Sequence, residues 1–305
     1  MAGVSTQAMA SLSANGKTFY WASFFLGKHK ASVAALLYSG CRQLDDIADN
    51  NNRDKEAVRR TLTTIQREIS QTDTTDIHSV SALFRHLIDA HGIDTAAVMS
   101  LIDGMMQDTS LVELTDQQAL DRYCYRVAGT VGIMMSSVLG VRDVEALPFA
   151  IDLGIAMQLT NISRDVLEDA GIGRRYLPVD IPVESLACAS VDTRDQVARA
   201  IDLQLERAER FYESGIAGLT YLPRGSRIAI YLAAILYRAI GRQLRQHGCQ
   251  WWRGRTVISK QQKLLMTLSA LPVLCSLPFK ARLTPDKAHD HRLHVHLAGM
   301  PYADT

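Results

Sequence analysis

Two short stretches, "CRQLDDIADN" and, more than a hundred residues later, "NISRDVLEDA", each hold aspartates four apart: Asp45 with Asp49, and Asp165 with Asp169. On an α-helix, at about 100° per residue, Tyr38, Arg42, Asp45 and Asp49 share one stripe beside the apolar Leu37, Cys41, Leu44 and Ala48. Ser39, Gln43 and Asp46 occupy the other flank, so this stripe alone would also suit a solvated helix face. The second stripe, Gln158, Asn161, Asp165 and Asp169, is walled on both sides: Ile155, Leu159, Ile162 and Val166 flank it on one, Leu153, Met157 and Leu167 on the other. Burying unpaired carboxylates costs several kcal/mol each, so such a stripe must meet counter-charges in a cavity. Two facing helices with this pattern supply hard oxygen ligands without histidine or cysteine, which selects Mg²⁺ over zinc or copper. Mg²⁺ bound by one or two carboxylates takes further ligands from water and phosphate, so the pair predicts a diphosphate substrate. Arg42, Arg164, Arg174 and Arg175 stand close by in sequence as candidate donors to its oxygens.

Helices must carry these stripes, and helical periodicity dominates the 305 residues. Val197, Ile201, Leu205, Ala208, Tyr212 and Leu219 recur at steps of three, four or seven, with Glu206, Arg207, Glu209 and Arg210 on the other faces. Similar patterns predict helices over 29–49, 54–70, 77–91, 94–108, 117–139, 144–169 and 225–247. Turn material such as "QTDTTD" and "LPRGS" separates them, and "GIGRRYLPVDIP" (171–182) is a non-helical insert. No linker divides the chain, which predicts one all-α domain over 17–284, after a loose leader (1–16) and before a polar tail (285–305). The tail's His289, His291, His294 and His296 match no specific metal spacing and read as solvated.

A net charge of +1 without a basic stripe gives no footprint for nucleic acid. Five cysteines without a CxxC pair suit a reducing cytosol and read as small buried apolar residues. "IAIYLAAILY" (228–237) is too short to cross a bilayer, and Pro272 and Pro278 break "LLMTLSALPVLCSLPF" (264–279). A cytoplasmic chain with room for a peripheral membrane contact is expected.

"YSGCRQLDDIAD", "YCYRVAGTVG" and "MQLTNISRDVLEDAGIGRRYLP" closely resemble, in order and separation, the three central motifs of the phytoene and squalene synthase family. The likeness runs from "KTFYWAS" through "GLTYLPRGSRIAIYLAAILYRAIGRQL" to "RGRTVISKQQKL", roughly residues 15 to 270. The resemblance implies an all-α isoprenoid synthase fold with a central cavity. It also implies head-to-head condensation of two isoprenyl diphosphates through a cyclopropylcarbinyl diphosphate. Carried over by position, Asp45 and Asp49 look like the first metal motif, and Asn161, Asp165 and Asp169 like the second. Tyr38, Arg42, Gln158, Arg164 and Arg175 resemble the polar residues around the diphosphates; Tyr123 and Tyr237 match cavity tyrosines. Thr18 and Phe19 stand where the family often has Ser-Phe, and Arg255, or Arg253 with a one-residue shift, fits a late diphosphate-binding arginine. "FFLGKHKAS" lacks a common leucine-proline-basic stretch, and "WWRGR" is bulkier than usual.

By charge, metal and arginines would let a diphosphate leave, and an apolar wall with Tyr123, Tyr237, Phe19 and Trp21 would keep the allylic cation from water. The glycines of "VAGTVG" would let that helix approach a neighbour or the prenyl chain closely. Squalene-forming members need a nicotinamide hydride and typically end in a membrane anchor. Neither a GxGxxG loop after a strand nor an apolar 20-mer at the end occurs here. The expectation is therefore a bacterial carotenoid enzyme that makes phytoene from two C20 diphosphates with Mg²⁺ or Mn²⁺ and no nicotinamide. C30 relatives using the C15 diphosphate are the alternative, and a non-catalytic assembly protein of the same fold is the rival from another class. Met134 or Met135, in "VGIMMSS", is the candidate floor of the cavity.

Overall fold

A computed structural model describes residues 2–49, 54–71, 78–277 and 288–304. The turn at "QTDTTD", beyond Gln71, and the predicted boundary at 284 and 285 lie outside the described residues. The chain forms α1 (Ala2–Asn15), α2 (Lys17–Ser23), α3 (Lys28–Ala48), α4 (Lys55–Ser70), α5 (Ser79–His91) and α6 (Thr95–Gln107). They continue in α7 (Gln117–Cys124), α8 (Thr130–Leu139), α9 (Leu147–Arg164), α10 (Val166–Gly171) and α11 (Val183–Ala187). The last are α12 (Val191–Ala217), α13 (Arg224–Gln246), α14 (Lys260–Ser269) and α15 (Leu271–Ser276). Their starts follow side-chain chemistry: Asp54, Asp94, Asp116 and Ser190 each accept a first-turn backbone N–H, and Ser259 with Gln262 forms a capping box before α14.

Two stretches predicted as single helices are interrupted. Between α7 and α8 the backbone widens into a π turn over Tyr125–Gly129. Between α9 and α10 it leaves helical geometry at Asp165 (φ −102°, ψ 15°), although Asp165 and Asp169 still donate their N–H groups to Asn161 and Asp165 carbonyls. The insert after α10 contributes a two-residue strand, β2 (Arg174–Arg175), that pairs in parallel with β1 (Val112–Glu113), Val112 opposite Arg174.

α9 is the central helix, with Ile151, Ile155, Leu159 and Ile162 buried, and it packs against α8, α12 and α13. Its seam with α8 and the π turn is backbone on backbone. A Cβ on Gly132 would lie 2.1 Å from the Ala150 carbonyl oxygen, and one on Gly154 2.2 Å from that of Ala128. The "VAGTVG" glycine therefore serves helix packing, and the paired contacts show that the two helices run antiparallel.

Three expectations are corrected. Residues 1–16 are not a loose leader: α1 buries Ala8 and Leu12 against Ala35 of α3, an i, i+4 pair too small to stand out as an amphipathic pattern. The histidine tail is not wholly solvated, because Leu293, Leu297, Met300 and Ala303 join the main core and His294 is buried with them, while His291 is exposed. Cys124 and Cys249 are buried, but Cys188 and Cys275 are exposed.

Candidate active site

The ends of α3 and α9, with α10, bring the two aspartate groups to the mouth of a cavity of about 320 Å³. Tyr38, Cys41, Gln158, Asn161 and Tyr237 line that mouth. From there the cavity runs back along α9, past Met157, Leu153 and Ala150 to Phe149, and is almost wholly apolar. At 1.5 Å per residue, the twelve residues from Asn161 to Phe149 give it a depth of about 18 Å.

The carboxylates lack sufficient positive charge. Burial, then Asp49, pushes Asp45 up to about 6 against the pull of Arg42. Burial, then Asp165, pushes Asp169 up to about 8 against Arg174. A fifth acid that the sequence reading missed, Asp108 just after α6, is buried and also raised to about 6, first by burial, while Arg174 and two tyrosine hydroxyls oppose the shift. Its charge acts on Asp45 and on Asp169, so it links the two groups. Nothing in its local sequence marks it, since it stands alone at a helix end.

Asn161 donates through Nδ2 to Gln158 Oε1 (3.3 Å), while its buried Oδ1 has no hydrogen-bond partner. A surplus of carboxylates beside an orphaned carbonyl oxygen is the donor set of a hard divalent cation.

The arginines are held by acids or by backbone carbonyls. Arg42 bonds Asp45 (2.8 Å) and Asp46 (2.7 Å). Buried Arg164 holds Asp165 through Nε (2.6 Å), and half-exposed Arg255 reaches the same carboxylate at 3.0 Å, whereas Arg253 is exposed. The site-facing residue of the "GRRYLP" pair is Arg174, which bonds Asp49 at 2.6 Å. Arg175, the residue carried over by resemblance, turns the other way and donates to the carbonyls of Leu114 (2.8 Å) and Leu177 (2.7 Å). The reason is the extended backbone of β2, in which adjacent side chains point to opposite faces.

Aromatic rings frame the mouth. Phe19 packs on Tyr237 (centroids 5.1 Å apart) and Tyr38 (6.5 Å), and burial, then Tyr237, pushes the Tyr38 hydroxyl up to about 12. Thr18 is turned from the cavity and accepts from Lys263 Nζ (3.2 Å). Tyr123 also lies off the cavity: it stacks on Tyr176 (4.6 Å), and both hydroxyls donate to Asp108, at 3.0 and 2.9 Å. It therefore braces the acids from behind. Of the two candidate floor residues, Met135 lines the cavity and Met134 is buried in the core.

The family model described as squalene/phytoene synthase matches residues 12–262. The chain is 37% identical over 270 residues to the 15-cis-phytoene synthase of Enterobacter agglomerans, covering 83% of this chain and 90% of that one. It is 34% identical over 277 residues to the 15-cis-phytoene synthase of Pantoea ananas, covering 86% and 89%. Among solved structures, a dehydrosqualene synthase in complex with ligand superposes with a TM-score of 0.75 at 25% identity, over 90% of this chain and 98% of that one. With its paired aspartates at the mouth of an apolar cavity inside an all-α fold, the chain belongs to the squalene/phytoene synthase family.

Proposed function

We propose that this chain is a prenyl transferase that condenses two C20 isoprenyl diphosphates head to head, releasing both diphosphates to give phytoene. What supports this most is the pairing of a charged mouth with an apolar cavity about 18 Å deep. The diphosphates take the mouth and the prenyl tails the cavity. Relatives bearing the name phytoene synthase add weight.

Asp45, Asp49, Asn161, Asp165 and Asp169 are the residues that would hold Mg²⁺, or Mn²⁺ in its place. When bound, the cation supplies positive charge to the leaving diphosphate. Arg42, Arg174 and Arg255, already at the carboxylates, are placed to pass to phosphate oxygens as bidentate donors. Phe19, Tyr38 and Tyr237 shield the allylic cation from water and offer it their ring faces. The double bond of the second substrate attacks that cation, a proton leaves, and the cyclopropyl diphosphate ionises in its turn. Loss of a second proton closes the sequence, so electrons balance without a reductant.

Among the described residues no helix is long and apolar enough to cross a membrane. The exposed Leu264, Leu265, Leu268, Leu271 and Val273 of α14 and α15 offer a peripheral contact through which an apolar product leaves.

Incubating the pure protein with Mg²⁺ and either the C15 or the C20 diphosphate, with products identified by mass, tests the function. A C40 hydrocarbon formed without NADPH is expected. A C30 product would transfer the same chemistry to the shorter substrate, a product that requires NADPH would mean a squalene-type reduction, and no turnover would favour the non-catalytic reading.

A further inference from the structure

The segment from His289 to Ala303 lies beyond the family match, yet it is anchored on the helix that forms the cavity wall. Asp152 of α9 is completely buried and receives three donors: Ser214 Oγ of α12, His289 Nε2 (2.8 Å) and His294 Nε2 (2.8 Å). The other nitrogen of His294 faces the Ala303 carbonyl at 2.9 Å. Carbonyl and carboxylate only accept, so His294 carries protons on both nitrogens and pairs with Asp152 as an imidazolium. Although the three side chains lie within 4.8 Å of one another, every facing pair is satisfied by protons alone. Further anchors are Tyr125 Oη to the Pro301 carbonyl (2.6 Å) and Tyr302 Oη to Asp94 (2.7 Å).

This latch touches the wall of the cavity at the start of α9, away from the aspartates. The His289 ring meets Phe149 edge to face (centroids 5.3 Å apart), and Phe149 lines the cavity at the start of α9. On its other sides Phe149 is confined by Tyr221 (5.8 Å) and by Gly218, where even an added Cβ would lie 2.3 Å from Phe149 Cβ. Among the described residues, the tail's His289 is the histidine that confines the ring.

We infer that His289 is a positioning residue for substrate length: latched to Asp152, it holds the Phe149 ring that lines the part of the cavity farthest along α9 from the aspartates and so helps to select among prenyl chains. The inference deepens the proposed function and rests on it, since it takes the prenyl tail to occupy this cavity. Deleting the imidazole gives Phe149 room to swing outward, which deepens the cavity and favours the longer chain.

The test measures kcat/KM for the C15 and C20 diphosphates with the full chain and with His289→Ala, His289→Gln, Phe149→Ala and the double variant His289→Ala/Phe149→Ala, alongside thermal unfolding of each. Glutamine keeps a donor for Asp152 but no ring, so it decides the question if the alanine variant fails to fold. The expected result is a shift of the C20:C15 ratio toward C20 of at least about fivefold in His289→Gln and Phe149→Ala. His289→Ala should add no more than about twofold once Phe149 is alanine, because the effect passes through that ring. A lowered melting temperature with an unmoved ratio, or full additivity with Phe149→Ala, overturns the inference. Release of the tail by EDTA from a protein that binds stoichiometric Zn²⁺ would make the latch a metal site and overturn the proton account. A wild type that turns over neither diphosphate would instead defeat the proposed function, so the two failures are separable.

Discussion

Replacing Asp169 by asparagine should make the metal-free protein more stable while removing its activity. Folding raises this carboxyl from an ordinary 3.8 to about 8, chiefly by burial and then by Asp165. For an acid whose pKa folding raises, the native chain binds the extra proton between those two values, and stability falls as pH climbs through that window. At pH 7 the accumulated cost is roughly 3 pH units at about 1.36 kcal/mol each, or about 4 kcal/mol. Partial contact with solvent reduces this, and about 2 kcal/mol is the expected gain on deleting the charge. At about 2.1 cal/mol/K of unfolding entropy per residue, for 305 residues that corresponds to a rise of about 3 °C in melting temperature. The assay is thermal unfolding at pH 7 in EDTA and again with excess Mg²⁺. Wild type should melt lower than the variant in EDTA and gain markedly with Mg²⁺; the variant should gain little and show almost no turnover. An Asp169→Asn protein that melts below wild type in EDTA, or responds to Mg²⁺ as strongly, would refute the idea that these carboxylates are held in unfavourable proximity for a cation.

Three further outcomes are expected. Arg174→Ala should lower turnover by at least about tenfold with the fold retained, whereas Arg175→Ala, which strips two buried carbonyls and the partly exposed Glu113 carboxylate of their donor, should chiefly lower the melting temperature; the reverse pattern would mean that the extended alternation is misassigned. Met135→Ala should shift the C15 to C20 preference toward the longer substrate by more than about twofold, while Met134→Ala should leave the ratio alone and cost about 2–5 kcal/mol in stability, both measured by competition assay and denaturant unfolding. His294 faces Asp152 of α9, with Ser214 of α12 on the same carboxylate and His289 and Asp304 from its own segment; burial alone would lower its pKa, but the bond to Asp152 and that charge raise it. Its contribution is then complete below about pH 6.5 and fades as pH rises through the raised value, so His294→Gln should cost more stability at about pH 6 than at about pH 9, and a pH-independent cost would argue against the imidazolium.

Helical periodicity made much of this molecule legible. The stripe of Gln158 and Asn161 announced a polar track through an apolar helix, and the track does face the cavity. What escaped depends on distant partners or on backbone geometry that periodicity does not encode. The choice between Arg174 and Arg175 is made by a two-residue strand pairing with Val112 and Glu113, sixty residues upstream. Asp108 acquires its place through Tyr123, Tyr176 and Arg174, all distant in sequence. α1 buries too little apolar surface to show a pattern. His289 and His294 of the tail looked solvated because their counter-charge, Asp152, sits on a turn of α9 whose burial no local window reveals.

The glycine seam between α8 and α9 limits how such an enzyme can change its diet. With backbone carbonyls 2.1 and 2.2 Å from where a Cβ would stand at Gly132 and Gly154, that side of the cavity cannot be padded or hollowed at those positions without parting the helices. Adjustment must come from other positions, whether Met135 and Phe149 on the same two helices or Ala22 of α2 and Ala229 and Ala233 of α13, which line the same space with small side chains. Two proteins with identical aspartate motifs and identical glycines can therefore differ in the length of the molecule they build through three alanine positions, and a homologue's motifs report its chemistry far better than its product.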